Sequence, residues 1–391
     1  MRLITSEEDL PQDNLMKIFF LKYKLTLPDN IEKNKVPIRE ELLKLVKENE
    51  MLPYYKQLVQ EKYLKEDQKL VNELEATIEE KIKDLKSEID DAETNAGESE
   101  VREAIEKVAM YYKKIGDKEM ALTWFQKLNE KTVGVTLKIK IIFEIMMIGY
   151  TYGDIELLKR NIDKANTLIE EGGDWESKNR LKVYEGCFCM LVRNFDRAAE
   201  LFLSSVATFQ TTEIMDYEDF IFYTVILASV SLSRKKIKEN VILNSEVLSV
   251  IDKMPTLKVF LNSLYDCKYH DFIVSLADIT DKLVAERPFM AKHVNYYCRE
   301  MRIRAYSQFL KSYKSVQLRS MADTYGVTEA FLDAELSRFI SNGRISCKID
   351  KVQGIIETTR PDEKTAFYNN CIKQGDQLLN RIQKLSRVMD L

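Results

Sequence analysis

Two histidines, His270 and His293, and six cysteines (Cys187, Cys189, Cys267, Cys298, Cys347 and Cys371) carry most of this chain's capacity for metal or nucleophilic chemistry. Zinc takes clustered nitrogen and sulfur ligands at short, repeated spacings. Neither histidine belongs to such a set, and the cysteines fit neither a zinc pattern nor a disulfide framework. Cys267 and His270 are close enough for a thiol–imidazole pair, but no third group is indicated to orient the ring, and both stand near a turn. Cys187 and Cys189, two residues apart, point to different sides of a helix. Phosphate binding and serine-hydrolase chemistry are equally unsupported: there is no GxxxxGK[ST], no GxGxxG after a strand and no GxSxG elbow. Gly172-Gly173 before Asp174 lacks a preceding strand and reads as a turn between helices. Carboxylates are abundant but spread over solvated helix positions, so no catalytic pair stands out. The expectation is a protein without enzymatic activity, metal or cofactor, holding reduced thiols in a cytosolic or nuclear setting.

The elements available to position any other function are helical. The 391-residue chain has only 12 Gly and 7 Pro, too few breakers for anything but a mainly α fold. Hydrophobic residues make up 45% and charged ones 31%, the balance of a globular chain that buries a sizeable core in two or three domains. A net charge of -4 argues against generic binding to nucleic acid or anionic membranes. No apolar run reaches the ~18 residues of a spanning helix, and the most apolar one, residues 139–150, contains Lys140 and Glu144. The opening MRLITSEEDLPQD lacks the apolar centre of a signal peptide.

A first helix is predicted over residues 15–27, ending at Pro28-Asp29-Asn30. A second covers 36–49, and Pro53 suits the first turn of a third. Residues 65–93 are highly charged, with Leu70, Leu74, Ile78, Ile82, Leu85 and Ile89 along one side. They form either a coiled-coil arm or a solvated helix with one face on its own domain, the second being favoured. Residues 95–99 end it, with Ser99 as the expected N-cap of the next helix. From there paired helices turn at Asp117, Asp154, Asn194, Ser233 and Lys268, roughly 35 to 40 residues apart, which is the period of helix-turn-helix solenoids. Ala109, Tyr112, Ala121 and Phe125 hold the small and aromatic positions of the tetratricopeptide pattern, and Gly186, Ala198 and Phe202 repeat the register. A helix over residues 290–313 then leads into the last module.

That module reads helix (316–325), tight turn at Gly326, helix (329–342), β-hairpin, long helix. Thr328 is placed to N-cap the second helix, and Gly343 stands where a C′ glycine belongs. Ile345, Cys347 and Ile349 alternate with polar residues over a strand 344–349, which turns at 350–354 and returns over 355–359 until Pro361. This order is a winged helix, a module that grips nucleic acid or protein. Glu329, Asp333 and Glu335 oppose only Arg338 on its second helix, and the wing offers only Arg344, Lys348 and Lys351. An acidic recognition face points to a protein partner rather than nucleic acid. From residue 362 one helix runs to the end, with Ile372, Gly375, Leu378, Ile382, Leu385 and Met389 spaced three and four apart and Leu379 and Val388 widening the stripe. By pattern alone this seam either folds back on its own domain or enters a bundle with other chains.

A tetratricopeptide-like right-handed solenoid joined through a linker helix to a winged helix and a terminal helix resembles the PCI family. These are the scaffold subunits of the proteasome lid, the COP-nine signalosome and a translation initiation factor. The blocks at residues 174–203, 299–313, 340–365 and 373–391 are similar to its proteasome-lid branch, and the resemblance is loosest before about residue 100. It implies a helical arm at 1–98, repeats at 99–285, the linker and winged helix at 286–361, and a bundle helix at 362–391. It also implies a cytoplasmic and nuclear hetero-oligomer. The partners implied are the other PCI subunits and the lid deubiquitinase module, with the arm reaching toward the ATPase ring or core particle. Carried onto this chain, Arg344, Ile345, Cys347, Ile349, Ile355 and Ile356 become the winged-helix contact. Ile372, Leu378, Leu379, Ile382, Leu385, Val388 and Met389 become bundle residues. The signalosome paralogue and an RNA-binding winged-helix protein are the alternatives.

Overall fold

The computed structural model describes residues 13–28, 35–64, 67–95, 97–359 and 363–389. The chain forms two compact units. One comprises the chain up to Leu261 together with Ala277–Tyr297, the other Asn262–Leu276 together with the chain from Cys298. Helices dominate both.

The first unit opens with α1 (Asn14–Thr26), α2 (Lys35–Glu48) and α3 (Leu52–Gln60), the last started by Pro53 in its first turn. Asp13 accepts the Leu15 N–H at 2.8 Å and so caps α1. The charged helix α4 (Gln68–Asn95) lays Leu70, Leu74, Ile78 and Ile89 into the unit's own core, with Ile82 and Leu85 packed against it. The seam is therefore an internal contact, the favoured alternative; Lys65 lies outside the described residues.

Helix pairs follow: α5 (Glu98–Ile115) with α6 (Lys118–Lys131), α7 (Val135–Tyr152) with α8 (Ile155–Gly172), and α9 (Trp175–Leu191) with α10 (Phe195–Ser205). Then come α11 (Tyr217–Ser231) with the short α12 (Arg234–Ile237), α13 (Ser245–Ile251), and α14 (Pro255–Asp266) with α15 (Tyr269–Glu286). All five predicted turn residues stand directly before the second helix of a pair. Asp117 accepts from the Met120 N–H at 3.1 Å, Asp154 from Leu157 at 3.0 Å and Asn194 from Arg197 at 3.4 Å. Each satisfies a backbone donor that the helix start leaves open. Ser99 does not cap α5. Gly97 occupies that position, and the Glu100 carboxylate reaches back to its N–H at 3.2 Å, which leaves Ser99 inside the helix. The Gly172-Gly173 pair forms the turn between α8 and α9, with Gly172 at φ +143°.

Close approach within pairs depends on small residues. Ala109, Ala121 and Ala198 are fully buried. A Cβ on Gly186 would sit 2.2 Å from the Phe202 ring, so α9 and α10 meet where only glycine fits. Helices α7, α9 and α11 are buried on nearly every side. That is why Cys187 and Cys189, on different sides of α9, are both buried. Burial pushes both thiols up, Cys189 to about 11, away from nucleophilic chemistry. Polar groups inside these helices turn back on the backbone: the Thr224 hydroxyl donates to the Phe220 carbonyl at 2.7 Å. Arg287, which follows α15, pairs with Asp219 on α11 and lies over the Phe222 ring at 5.0 Å.

Two outcomes follow. Gly186→Ala forces Phe202 out of its rotamer and should destabilise the protein by about 1–3 kcal/mol in denaturant titrations, with helicity retained in the folded state. Burial also raises the Tyr54, Tyr150, Tyr184 and Tyr223 phenols well above their ordinary value of 10.0. In the unfolded chain these groups ionise near 10, so the unfolded state binds fewer protons above that pH. Stability is full below pH 10 and falls as pH rises above it. Melting temperature against pH should drop on the alkaline side as tyrosinate absorbance appears.

Candidate protein interface

The second unit is built around a cluster of aromatic rings. The expected helix over 290–313 is α16 (Pro288–Ala291), a break at Lys292-His293, then α17 (Val294–Leu310). From α17, Tyr306 and Phe309 meet Tyr325 at 4.9 and 5.8 Å, and Tyr269 lies 4.8 Å from the same ring. Tyr325 belongs to α18 (Leu318–Tyr325) and donates its hydroxyl to the Ala305 carbonyl at 2.8 Å. Gly326 then turns the chain at φ +68° into α19 (Glu329–Ser341); a Cβ there would lie 2.3 Å from His270 Nδ1. His270 therefore acts as a wall for this turn. His293, in the first unit, hydrogen bonds the Leu191 carbonyl at 2.9 Å.

Thr328 caps α19, accepting from the Phe331 N–H at 3.4 Å. One acid on that helix departs from expectation. Glu335 is buried, held by Arg302 at 2.8 Å and by the Tyr306 hydroxyl at 2.9 Å. Burial first, and Glu335 second, push the Tyr306 phenol up. The expected acidic face is thus reduced: Asp333 pairs with Lys351 at 2.9 Å, and Glu329 and Arg338 remain exposed beside Phe331. No basic stripe replaces it among the described residues. The sequence gives no sign of this burial, because Arg302 and Tyr306 reach Glu335 only through the tertiary fold.

The wing is a three-stranded antiparallel sheet in the order β1-β3-β2, with β1 at Ser315–Gln317, β2 at Cys347–Asp350 and β3 at Ile355–Thr358. The helix expected over 316–325 begins only at Leu318, because Val316 and Gln317 belong to β1. Three residues with a single apolar side chain show no alternation, and only pairing with β3 (Val316 opposite Ile356) makes them a strand. Register places Ile349 opposite Ile356 and Cys347 opposite Thr358. Ile345, Cys347 and Ile356 are buried in the unit's own core, Ile349 and Ile355 are half-buried, and Arg344 is exposed with Glu300 as its ion-pair partner. The side chains of Ile345, Cys347 and Ile356 are therefore not a contact surface. Strand β2 is a sheet edge. The Thr359 N–H bonds the Ser346 carbonyl at 3.2 Å, so ladder alternation turns the backbone groups of Lys348 and Asp350 toward β3 and those of Cys347 and Ile349 outward. These two residues reach the surface as backbone. Val352 at the hairpin tip is 97% exposed. Pro361 lies outside the described residues.

The terminal helix α20 (Glu363–Met389) carries the whole predicted seam in solvent. Ile372, Leu378, Leu379, Ile382, Leu385, Val388 and Met389 are 57% to 76% exposed, and Phe367 and Tyr368 continue the stripe. Of the two options left by the pattern, folding back is not the one seen among the described residues.

Elsewhere a cleft of about 300 Å³ is lined from α5, α6, α7 and α9 and by Glu213, and it brings Arg102, Lys140 and Arg180 together with Glu106, Glu144 and Glu213. Arg180 already pairs with Glu213, which also accepts from the Tyr184 hydroxyl at 3.0 Å. Among the described residues no three His, Cys, Asp or Glu stand close enough to hold a metal ion, and no helix is long and apolar enough to cross a membrane.

Comparison with known proteins bears on what this surface serves. Residues 67–240 match the family model of 26S proteasome subunit RPN7, residues 276–360 that of the PCI domain, and residues 368–389 that of the 26S proteasome regulatory subunit RPN7/PSMD6 C-terminal helix. The chain is 48% identical to the 26S proteasome non-ATPase regulatory subunit 6 of Oryza sativa subsp. japonica, over 98% of both chains. Identity is 45% to the protein of that name from Dictyostelium discoideum, covering 90% of this chain and 91% of the relative. It is 37% to the 26S proteasome regulatory subunit RPN7 of Saccharomyces cerevisiae, covering 90% and 88%.

The buried carboxylate of Glu335 makes a direct test of the winged helix. Glu335→Gln keeps the shape but leaves the Arg302 guanidinium without its counter-charge. The expected loss is about 1–3 kcal/mol, moderated because Arg302 keeps some access to water. A lowered denaturation midpoint would be seen; an unchanged one would remove Glu335 from the list of supports.

Proposed function

The chain belongs to the RPN7 family of 26S proteasome regulatory subunits, and from that premise we propose that it is a non-catalytic scaffold of the regulatory-particle lid. In this role it joins the other PCI subunits and the lid's deubiquitinase module in a hetero-oligomer of cytoplasm and nucleus, serving ATP-dependent degradation of ubiquitinated proteins. The observation that carries the proposal is the uncovered seam of α20, seven large apolar side chains in water on a helix that matches a dedicated C-terminal family model. Burying one such side chain contributes roughly 1.5–3 kcal/mol, so a bundle that covers the seam can anchor the subunit even after ordering costs. The relatives' names favour the proteasome over the signalosome alternative.

The winged helix supplies a second attachment. An edge strand is a template for pairing with another chain. On β2 that template is the outward backbone of Cys347 and Ile349, with the buried Ile345 and Ile356 keeping the strand in place from behind. The solenoid arm is assigned to contacts with the ATPase ring or core particle.

Tagged full-length protein and a version ending at Asn370 should be purified from cells side by side, with co-purifying chains identified by mass spectrometry. Lid subunits are expected with the full chain alone. Leu378→Asp with Ile382→Asp should lower lid recovery by at least about tenfold while the melting temperature of the first unit stays put; full recovery would sink the bundle assignment. The β2 edge is read by a pair of variants. Ile349→Ala and Ile349→Pro both lose the side chain, but only the proline loses the outward N–H. Equal recovery of the two would mean that the edge does not pair.

A further inference from the structure

Helix-pair arrays present extended concave surfaces as binding grooves. Here α1 packs across the array from within the first unit, against α7 among others. The Asp13 carboxylate at the start of α1 accepts from Lys113 on α5 at 3.0 Å, and the same ammonium donates to Glu144 on α7 at 2.6 Å. Lys113 is buried, and the two carboxylates hold its proton against the burial that would otherwise release it. Farther along α1, Phe19 and Phe20 stand 5.8 and 6.2 Å from Phe289 on α16. Phe289 in turn contacts Tyr150 of α7 at 6.0 Å and Tyr223 of α11 at 6.3 Å. The Tyr23 hydroxyl donates to the Val284 carbonyl at 2.5 Å. Leu15, Met16, Ile18, Phe20, Leu21 and Leu25 are all buried.

We infer that α1 is the solenoid's own groove ligand. It lies across α5, α7 and α16 as a partner's amphipathic helix would, in the helix-in-groove manner. While it is seated, this stretch of the array does not receive peptides from other proteins. The chemistry of the site also states what could replace α1: an amphipathic helix with an acidic residue at its N-cap for Lys113 and two adjacent aromatics, one turn and a half later, for Phe289. The open cleft of about 300 Å³ beside Glu144 cannot admit such a helix, since one the length of α1 needs a cylinder on the order of 1,500 Å³. The inference is independent of the lid proposal, because it concerns contacts inside one unit of one chain.

The test uses the full chain with a protease site placed between α1 and α2. A fluorescent peptide of residues 13–28 is added before and after cleavage, and anisotropy and native mass spectrometry are recorded. The uncut chain should ignore the peptide. The cut chain should keep its α1 fragment, exchange it for the labelled peptide, and release the label to unlabelled wild-type peptide. A peptide carrying Phe19→Ala and Phe20→Ala should compete at least tenfold less well, a comparison that needs no variant of the protein to fold. Equal binding to the uncut chain would overturn the inference, because the groove would then be open. So would loss of the fragment on cleavage without rebinding. Undiminished competition by the double-alanine peptide would do the same, since Phe289 would then select nothing.

Discussion

A helix cannot begin in a crowded interior unless something accepts its first N–H groups, and this chain is arranged around that constraint. Asp117, Asp154 and Asn194 each place a short acceptor at the start of a second helix, and Asp13 and Thr328 do so for α1 and α19. Because the caps fix where each pair turns, they fix which residues of its two helices face one another. Only then do Ala109 and Ala121 fall in the interior, and Gly186 meet Phe202 at a separation that a larger residue could not share. The turns set the register, the register sets the packing, and the packing leaves α7, α9 and α11 with hardly any solvent face.

Features that rest on local physics were legible in the sequence. The turn residues, the Thr328 cap, the αL glycines at 326 and 343 and the seam of α20 each follow from a side chain and its near neighbours. Features that need a distant partner were not. Strand β1 exists because β3 returns beside it, so Val316 and Gln317 look like the front of a helix until the hairpin is in place. Glu335 reads as surface charge until Arg302 and Tyr306 are brought over it. Ser99 has the chemistry of a cap, yet Glu100 can reach back to Gly97 and does. The wing's alternation identified the hairpin, although its first strand is β2 at Cys347–Asp350 rather than 344–349. It could not say that alternate residues serve the interior, so the side chains of Ile345, Cys347 and Ile356 are buried while the backbone groups of Cys347 and Ile349 face out.

Within the first unit, polar groups are spent on internal agreement. Lys113 answers two carboxylates, Arg287 answers Asp219, and Arg180 answers Glu213. Pairs of this kind, shielded in part from water, add modestly to stability but penalise any arrangement that separates them, so they act chiefly as registers for the elements that carry them. The second unit uses its aromatic cluster to the same end, setting α18 and α19 by the rings of Tyr269, Tyr306 and Tyr325.

The uncovered stripe of α20 has a consequence for the life of the molecule before it meets any neighbour. A newly made copy displays a contiguous apolar band from Phe367 to Met389. Such a band is sticky in proportion to concentration and resembles the surface that chaperones and quality-control proteases survey. In the proposed lid role, the side chains that mark a surplus copy for removal are the ones a companion would shield. The abundance of this chain would then follow that of its companions, a form of dosage matching that needs no regulator beyond the solubility of leucine and isoleucine.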